Sequence, residues 1–171
     1  YNVKTRCKGS GRPLIKISKR NGSSLQTTLY YVRLKTHDSA QLFEPKENVA
    51  LPAADRHTSL AKIVADELLQ TSTHHRGITL DQWVLEPNSL HALISVEEDR
   101  PNPDAKSKPR SLTSFVAALK AATAKRINLM RNQPGCSVWQ RSYNEQRVED
   151  EMMLARLRKK LNESEHVVIA G

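Results

Sequence analysis

Residues Ile78 to Leu85 place apolar and polar side chains in near alternation, Pro87-Asn88 follows, and Leu90 to Val96 opens a second extended run. A period of two is that of a strand with one face to bury. Proline cannot donate to the middle of a sheet ladder, so Pro87-Asn88 belongs in the connection between the two runs. The pair is therefore a β-hairpin. A hairpin is not stable alone in water, so whatever else this chain does, it must cover that hairpin with further strands and with helices.

The rest of the sequence supplies both. Gln26 to Leu34 is rich in β-branched and aromatic residues and reads as a strand, with Tyr30 and Tyr31 on opposite faces. Leu60, Ile63, Val64 and Leu68 keep helical spacing. Asp55 or Thr58 is placed to cap that helix, and Gly77 lies beyond its end. A second helix begins at Ser111, with Leu112, Phe115, Val116, Leu119, Ala122 and Ile127 as its buried stripe, and Asn132-Gln133-Pro134-Gly135 stops it. A third is expected over 148–161, carrying Met152, Met153, Leu154, Leu157 and Leu161. Shorter features are a strand at Pro13–Ile17, a turn at Asn21–Ser24, a connection at Pro45–Pro52 with a short strand at Val49–Leu51, and a Pro-rich loop over Glu97–Arg110. The apolar tail Val167–Gly171 suits an added edge strand. The order strand, helix, hairpin, helix, helix implies an α+β fold, helices packed on an antiparallel sheet in a ferredoxin-like arrangement. At 171 residues a single core suffices. The boundaries read as a basic arm at 1–24, a domain at 25–164 and a tail at 165–171.

Charge placement matters more than its net value of +9. Residues 1–37 hold Lys4, Arg6, Lys8, Arg12, Lys16, Lys19, Arg20, Arg33 and Lys35 and no acid, while basic and acidic residues balance over the remainder. Such an arm suits a phosphate backbone; its plainer readings are a solubilising tail or a dock for an acidic protein. Lys120, Lys125, Arg126 and Arg131 decorate the second helix, with no acid between Ser111 and Gln133. No apolar run approaches the length of a membrane span, and the start lacks the apolar stretch of a signal peptide. Cys7 and Cys136 form neither a disulfide framework nor a metal spacing, so a reducing cytoplasm is expected.

The hairpin also holds the residues that point to chemistry. Two histidines at i and i+2 of a strand share a face and can grip one cation. Here His91 has Ser89, a weak ligand, at that distance, and in a regular strand Glu86 would fall on the opposite face. The plainer reading of His91 is a strand histidine donating one hydrogen bond. His74-His75 looks like a ligand pair, but adjacent residues project differently, and a solvated helix end is the simpler account. Trp83 and Trp139 are expected in the core, with base stacking as the alternative.

Glu86-Pro87-Asn88-Ser89-Leu90-His91-Ala92, the helix Phe115 to Asn128 with Arg126-Ile127-Asn128 near its end, and Val138-Trp139-Gln140-Arg141-Ser142-Tyr143-Asn144-Glu145 together resemble the REP-associated tyrosine transposases, a branch of the single-tyrosine HUH nucleases. The resemblance spans roughly residues 25–164, motifs in order. It implies an HUH-type fold, binding of a DNA hairpin or single strand, and DNA in preference to RNA as partner. In that family a hairpin strand carries two histidines holding a divalent cation that polarises the scissile phosphate, and a tyrosine on the last helix attacks it. The first histidine position is Ser89 here, the second is His91, and the nucleophile position falls on Lys160, in a helix without tyrosine. The expectation is a transposase-like nucleic-acid-binding protein that does not cleave DNA, with no resident cofactor and Mg²⁺ or Mn²⁺ relevant only to residual nuclease activity. Arg141 joins the arm, Lys120, Lys125 and Arg126 as expected backbone contacts. A domesticated scaffold binding a protein or ribonucleoprotein through the arm, and an active enzyme with its nucleophile moved, for which Tyr143 is a candidate, are the alternatives. A homodimer is implied by the resemblance alone.

Overall fold

The computed structural model describes residues 16–20, 23–43, 59–98, 110–163 and 168–169. Most of the basic arm, the helix-capping candidates Asp55 and Thr58, the strand expected at Val49–Leu51 and the Pro-rich segment at 99–109 lie outside them.

Strand β1 (Lys16–Arg20) and the long β2 (Ser23–Lys35) open the fold, followed by α1 (Ser59–His74), β3 (Ile78–Glu86), β4 (Ser89–Glu98), α2 (Arg110–Met130), β5 (Asn144–Arg147), α3 (Glu151–Glu163) and β6 (Val168–Ile169). The fold is α+β as expected, and all strand pairings are antiparallel. The order across the described sheet is β1-β2-β4-β3-β6, with β5 on β2. The length of β2 explains this arrangement. One edge pairs with β4 from Gln26 to Lys35, and the other is shared by β1 (Ser23 to Thr27) and β5 (Tyr30 to Arg33). The first described strand is Lys16–Arg20, which shares Lys16 and Ile17 with the strand expected at Pro13–Ile17; Pro13 to Ile15 lie outside the described residues. The tail strand pairs with β3 at Val84 and Leu85. Strand β5 was not expected, because Asn-Glu-Gln-Arg has neither alternation nor β-branching. It exists because the edge of β2 is open to it.

Two buried clusters sit on the two faces. Leu90, Ala92, Ile94 and Val96 of β4 meet Ala61, Ile63, Val64 and Leu68 of α1 and Leu112, Phe115, Val116, Leu119 and Ile127 of α2. Leu29, Tyr31, Val84 and Leu93 face Leu154 and Leu161 of α3 across the other side. Both faces of β4 are covered, which is why its sequence reads as a nearly continuous apolar run. Gly77, at φ +76°, turns the chain from α1 into β3. A Cβ there would approach the Glu97 carbonyl to 3.1 Å, so the sharp entry requires glycine.

Candidate functional site

The β3–β4 hairpin and the Trp139 segment, distant in sequence, come to opposite sides of β2. On one side β4 sets His91 against Arg33 and Ser89 against Lys35. On the other, Val138 O accepts from His37 N–H at 2.8 Å, Gln140 N–H donates to Lys35 O at 2.9 Å, and Trp139 bridges Thr36. The hairpin thus pairs along the C-terminal half of β2, and the Trp139 segment holds its end, at Lys35 to His37.

Ser89, His91, Tyr31 and Glu86 form one hydrogen-bonded centre on the α3 face. Pro87-Asn88 makes a two-residue turn, so Glu86 and Ser89 are direct cross-strand partners, and cross-strand partners share a face. The expectation that Glu86 lies opposite His91 is corrected by this: face follows the hairpin register, not a count along one strand. Ser89 Oγ donates to Glu86 Oε2 at 2.9 Å, and His91 Nε2 lies 3.0 Å from the same oxygen and 3.0 Å from Ser89 Oγ. A carboxylate only accepts, so Nε2 carries the proton and Nδ1 is the acceptor. The Tyr31 hydroxyl donates to Nδ1 at 2.6 Å. His91 is thus buried with both ring nitrogens engaged, not a surface histidine with one bond. Tyr31 reaches it from the diagonal position on β2, a contact invisible without the register.

The charges around this centre oppose one another. Burial lowers the pKa of His91 below its ordinary 6.5; Glu86 resists this, while Arg33 and then Lys160 reinforce it. The ring is neutral near pH 7. Burial, aided by Glu86 and opposed by Arg33, pushes the Tyr31 phenol up. Lys160 of α3 stands with Nζ 5.7 Å from the centre of the Tyr31 ring. The Nε of Arg33 is buried without a hydrogen-bond acceptor. The donor set does not fit a divalent cation: one histidine with both nitrogens engaged, one carboxylate and a serine hydroxyl, with the guanidinium of Arg33 and the ammonium of Lys160 adding like charge.

The Trp139 segment is built differently. Trp139 is buried against Phe43, ring centroids 5.6 Å apart, and its indole N–H donates to Thr123 Oγ1 at 2.8 Å. Trp83 is buried as well. Both therefore sit in the core. Lys120 Nζ donates to the carbonyls of Gln140 (2.7 Å), Arg141 (3.1 Å) and Ser142 (3.2 Å), fixing the loop that presents the exposed Arg141. Arg126 pairs with Glu67 at 2.7 Å, bridging α2 to α1, and Lys125 is exposed on α2. Tyr143 packs against the α1/α2 core, the opposite side of the sheet from His91. His74 and His75 diverge: the first bonds Gln70 O at 2.7 Å, the second bonds Thr71 O at 3.1 Å and sets its ring edge-on to Phe115. Of the arm residues, Lys4, Arg6, Lys8 and Arg12 lie outside the described residues, and Lys16, Lys19 and Arg20 are placed on β1.

These features define an α+β domain whose antiparallel sheet is apolar beneath α1 and α2 and carries a polar centre beneath α3. No protein-family profile and no curated protein matches the chain. Among solved structures it is similar to a REP-associated tyrosine transposase bound to a REP hairpin, with 12% identity and a TM-score of 0.47 over 79% of this chain and 62% of that one. It is also similar to a protein of Deinococcus radiodurans R1 described as a "putative transposase", with 20% identity and a TM-score of 0.42 over 92% of this chain and 95% of that one. This chain thus spans less than two thirds of the length of the first. No helix among the described residues is long and apolar enough to cross a membrane.

Proposed function

We propose that this chain is a transposase-like nucleic-acid-binding domain that does not cleave DNA by a metal route. The observation that carries the reading is the closed network Tyr31–His91–Glu86–Ser89, which engages the only histidine of the hairpin from both sides. The basic arm, Arg141 on its lysine-braced loop, and Lys125 and Arg126 on α2 supply cations for a phosphate backbone, and DNA is favoured over RNA by the sequence resemblance alone. Binding should weaken steeply with salt, because each neutralised phosphate releases counterion. Titration of a DNA hairpin, an RNA hairpin and a scrambled single strand over a salt series tests this. Absence of binding at low salt would sink the reading and favour a scaffold whose arm holds a protein or ribonucleoprotein.

The same network favours one other reading, an enzyme with a moved nucleophile. Tyr31, His91 and Glu86 stand in the order nucleophile, base, orienting carboxylate. Against it, Tyr31 is 8% exposed and burial holds its proton more tightly. Incubation with hairpin DNA, with and without Mn²⁺, decides: no covalent adduct is expected. An adduct lost in Tyr31→Phe but kept in Tyr143→Phe would establish this second reading.

A third ligand at position 89 tests whether ligand number, rather than the like charge of Arg33 and Lys160, is what keeps a cation out. Ser89→Asp adds a carboxylate beside His91 and Glu86, and combined with Lys160→Gln it is expected to give Mn²⁺ or Zn²⁺ binding by calorimetry that the wild-type chain lacks. Equal binding by the wild-type chain would overturn the account of its donor set.

A further inference from the structure

We infer that the outer face of α3 is a seat for the backbone of a single-stranded nucleic acid; this rests on the nucleic-acid-binding reading above and names the surface. Arg156, Arg158, Lys159 and Lys160 place four cations within five residues. They are not equivalent. Arg158 turns toward the sheet and forms a forked pair with Asp81 of β3, at 2.9 and 3.0 Å to its two oxygens. Arg156 and Lys159 are exposed and turn outward, Lys160 lies at the margin with its ammonium over the Tyr31 ring, and together with Glu163 they line a shallow open groove. Lys159 is 3.7 Å from Glu163 in an exposed pair, and Glu163 closes the far end of the groove.

Spacing and chemistry fit a strand of phosphates. Lys160 is four residues from Arg156 and Lys159 is three, so each neighbours Arg156 on the helix surface with bases about 5–6 Å from it, while Lys159 and Lys160 diverge around the helix. That is the order of distance between successive backbone phosphates. An exposed Lys159–Glu163 pair is worth little in water and yields readily to a phosphate, which offers several acceptor oxygens. The fourth member of the stripe, one turn before Arg156, is Met152, an apolar side chain left 57% exposed. Its polarisable thioether is suited to the face or edge of an aromatic ring. Cations that follow a backbone beside an apolar platform that takes a base are the parts of a single-strand site, because only an unpaired base is free to turn onto the platform. At the end of the stripe Lys160 reaches over Tyr31, so the bound strand would pass the mouth of the His91 centre.

The test compares the wild-type chain with Arg156→Gln/Lys159→Gln/Lys160→Gln, with Met152→Ser, and with Lys62→Gln on the exposed face of α1 as control. The probes are an oligothymidylate, an abasic strand of equal length, and a blunt DNA hairpin, each over a salt series, with far-UV circular dichroism to verify the fold. Loss of three phosphate contacts should lower the slope of log K against log salt by about 2, at roughly 0.7 per contact on a single strand. Met152→Ser should narrow the preference for oligothymidylate over the abasic strand, and Lys62→Gln should leave both unchanged. If the wild type binds and the triple variant keeps its slope, the α3 seat is wrong while the binding reading stands. If the wild type binds none of the probes, both fall. Equal dependence on these cations for polyglutamate would assign the face to an acidic protein and overturn the proposal.

Discussion

Strand β4 shows two neighbourhoods that alternate residue by residue. Its Leu90, Ala92, Ile94 and Val96 are buried against α1 and α2 among aliphatic and aromatic side chains. Its Ser89 and His91, equally buried, point the other way into hydrogen bonds with Glu86 and Tyr31. Both faces exclude water, but only the first gains by it without cost. The second must satisfy every polar atom it covers. The larger apolar cluster lies on the α1/α2 side, so the greater share of stability from apolar burial is expected there.

That contrast sets the sizes of the expected effects. Phe115 is fully buried on α2, between the sheet and the edge of His75. Phe115→Ala should cost about 3–5 kcal/mol by chemical denaturation, the usual loss for emptying such a site. On the other face Tyr31→Phe removes one hydroxyl without changing shape. It leaves the buried Nδ1 of His91 with no donor, and about 1–3 kcal/mol is expected. If Tyr31→Phe proved as costly as Phe115→Ala, the two faces would not divide the labour as described.

The polar face should also carry an acid sensitivity that the apolar face lacks. The groups facing His91 are Tyr31 and Arg33 from β2, Glu86 from β3 and Lys160 from α3, and the net outcome is a folded-state pKa below 6.5, with burial the largest cause. The unfolded chain then takes up the proton first as pH falls. Stability present above about pH 6.5 is progressively lost below it, down to the lowered folded-state value. Denaturation midpoints at pH 7.5 and 5.5 should differ more for the wild type than for His91→Gln, whose amide can keep both bonds without titrating. An unchanged acid loss in His91→Gln would place the sensitivity elsewhere.

Helical spacing found the three helices, each with an apolar stripe, and apolar or β-branched runs found β2 and the hairpin, although β2 and β4 bury both faces. Strand β5 had no such signature; Asn144–Arg147 is a strand because an open edge of β2 accepts it. The site divides in the same way. Ser89 and His91 announce themselves by their spacing on one strand. Glu86 was misplaced because its face depends on where the turn falls, and Tyr31 was missed as a partner because it joins through the β2–β4 register. The inward task of Lys120 was equally hidden: nothing in a basic helix face says that one lysine will turn to three carbonyls some twenty residues ahead. Local pattern reports what a segment needs to bury, whereas polar partnerships are fixed by register and turn geometry.

The smallest expected effect concerns how α3 is held. Beneath it Leu154 and Leu161 are buried and Met153 and Leu157 partly so, whereas α2 buries five large side chains in the main cluster. Two of its polar attachments are exposed: the Arg158–Asp81 pair, and a 2.6 Å bond from Gln82 Nε2 to Asn162 Oδ1. Exposed ion pairs contribute about 0–1 kcal/mol, so Arg158→Gln should shift global stability by less than about 1 kcal/mol. The same change should act more visibly on α3 itself. Elements with few buried contacts open by themselves below the global unfolding free energy. Amide hydrogens of α3 should therefore exchange before those of α2 in the wild type, and faster still in Arg158→Gln with α2 unaffected. Equal protection of the two helices would mean that the polar centre holds α3 as firmly as the apolar core holds α2, and that the two faces differ in chemistry but not in rigidity.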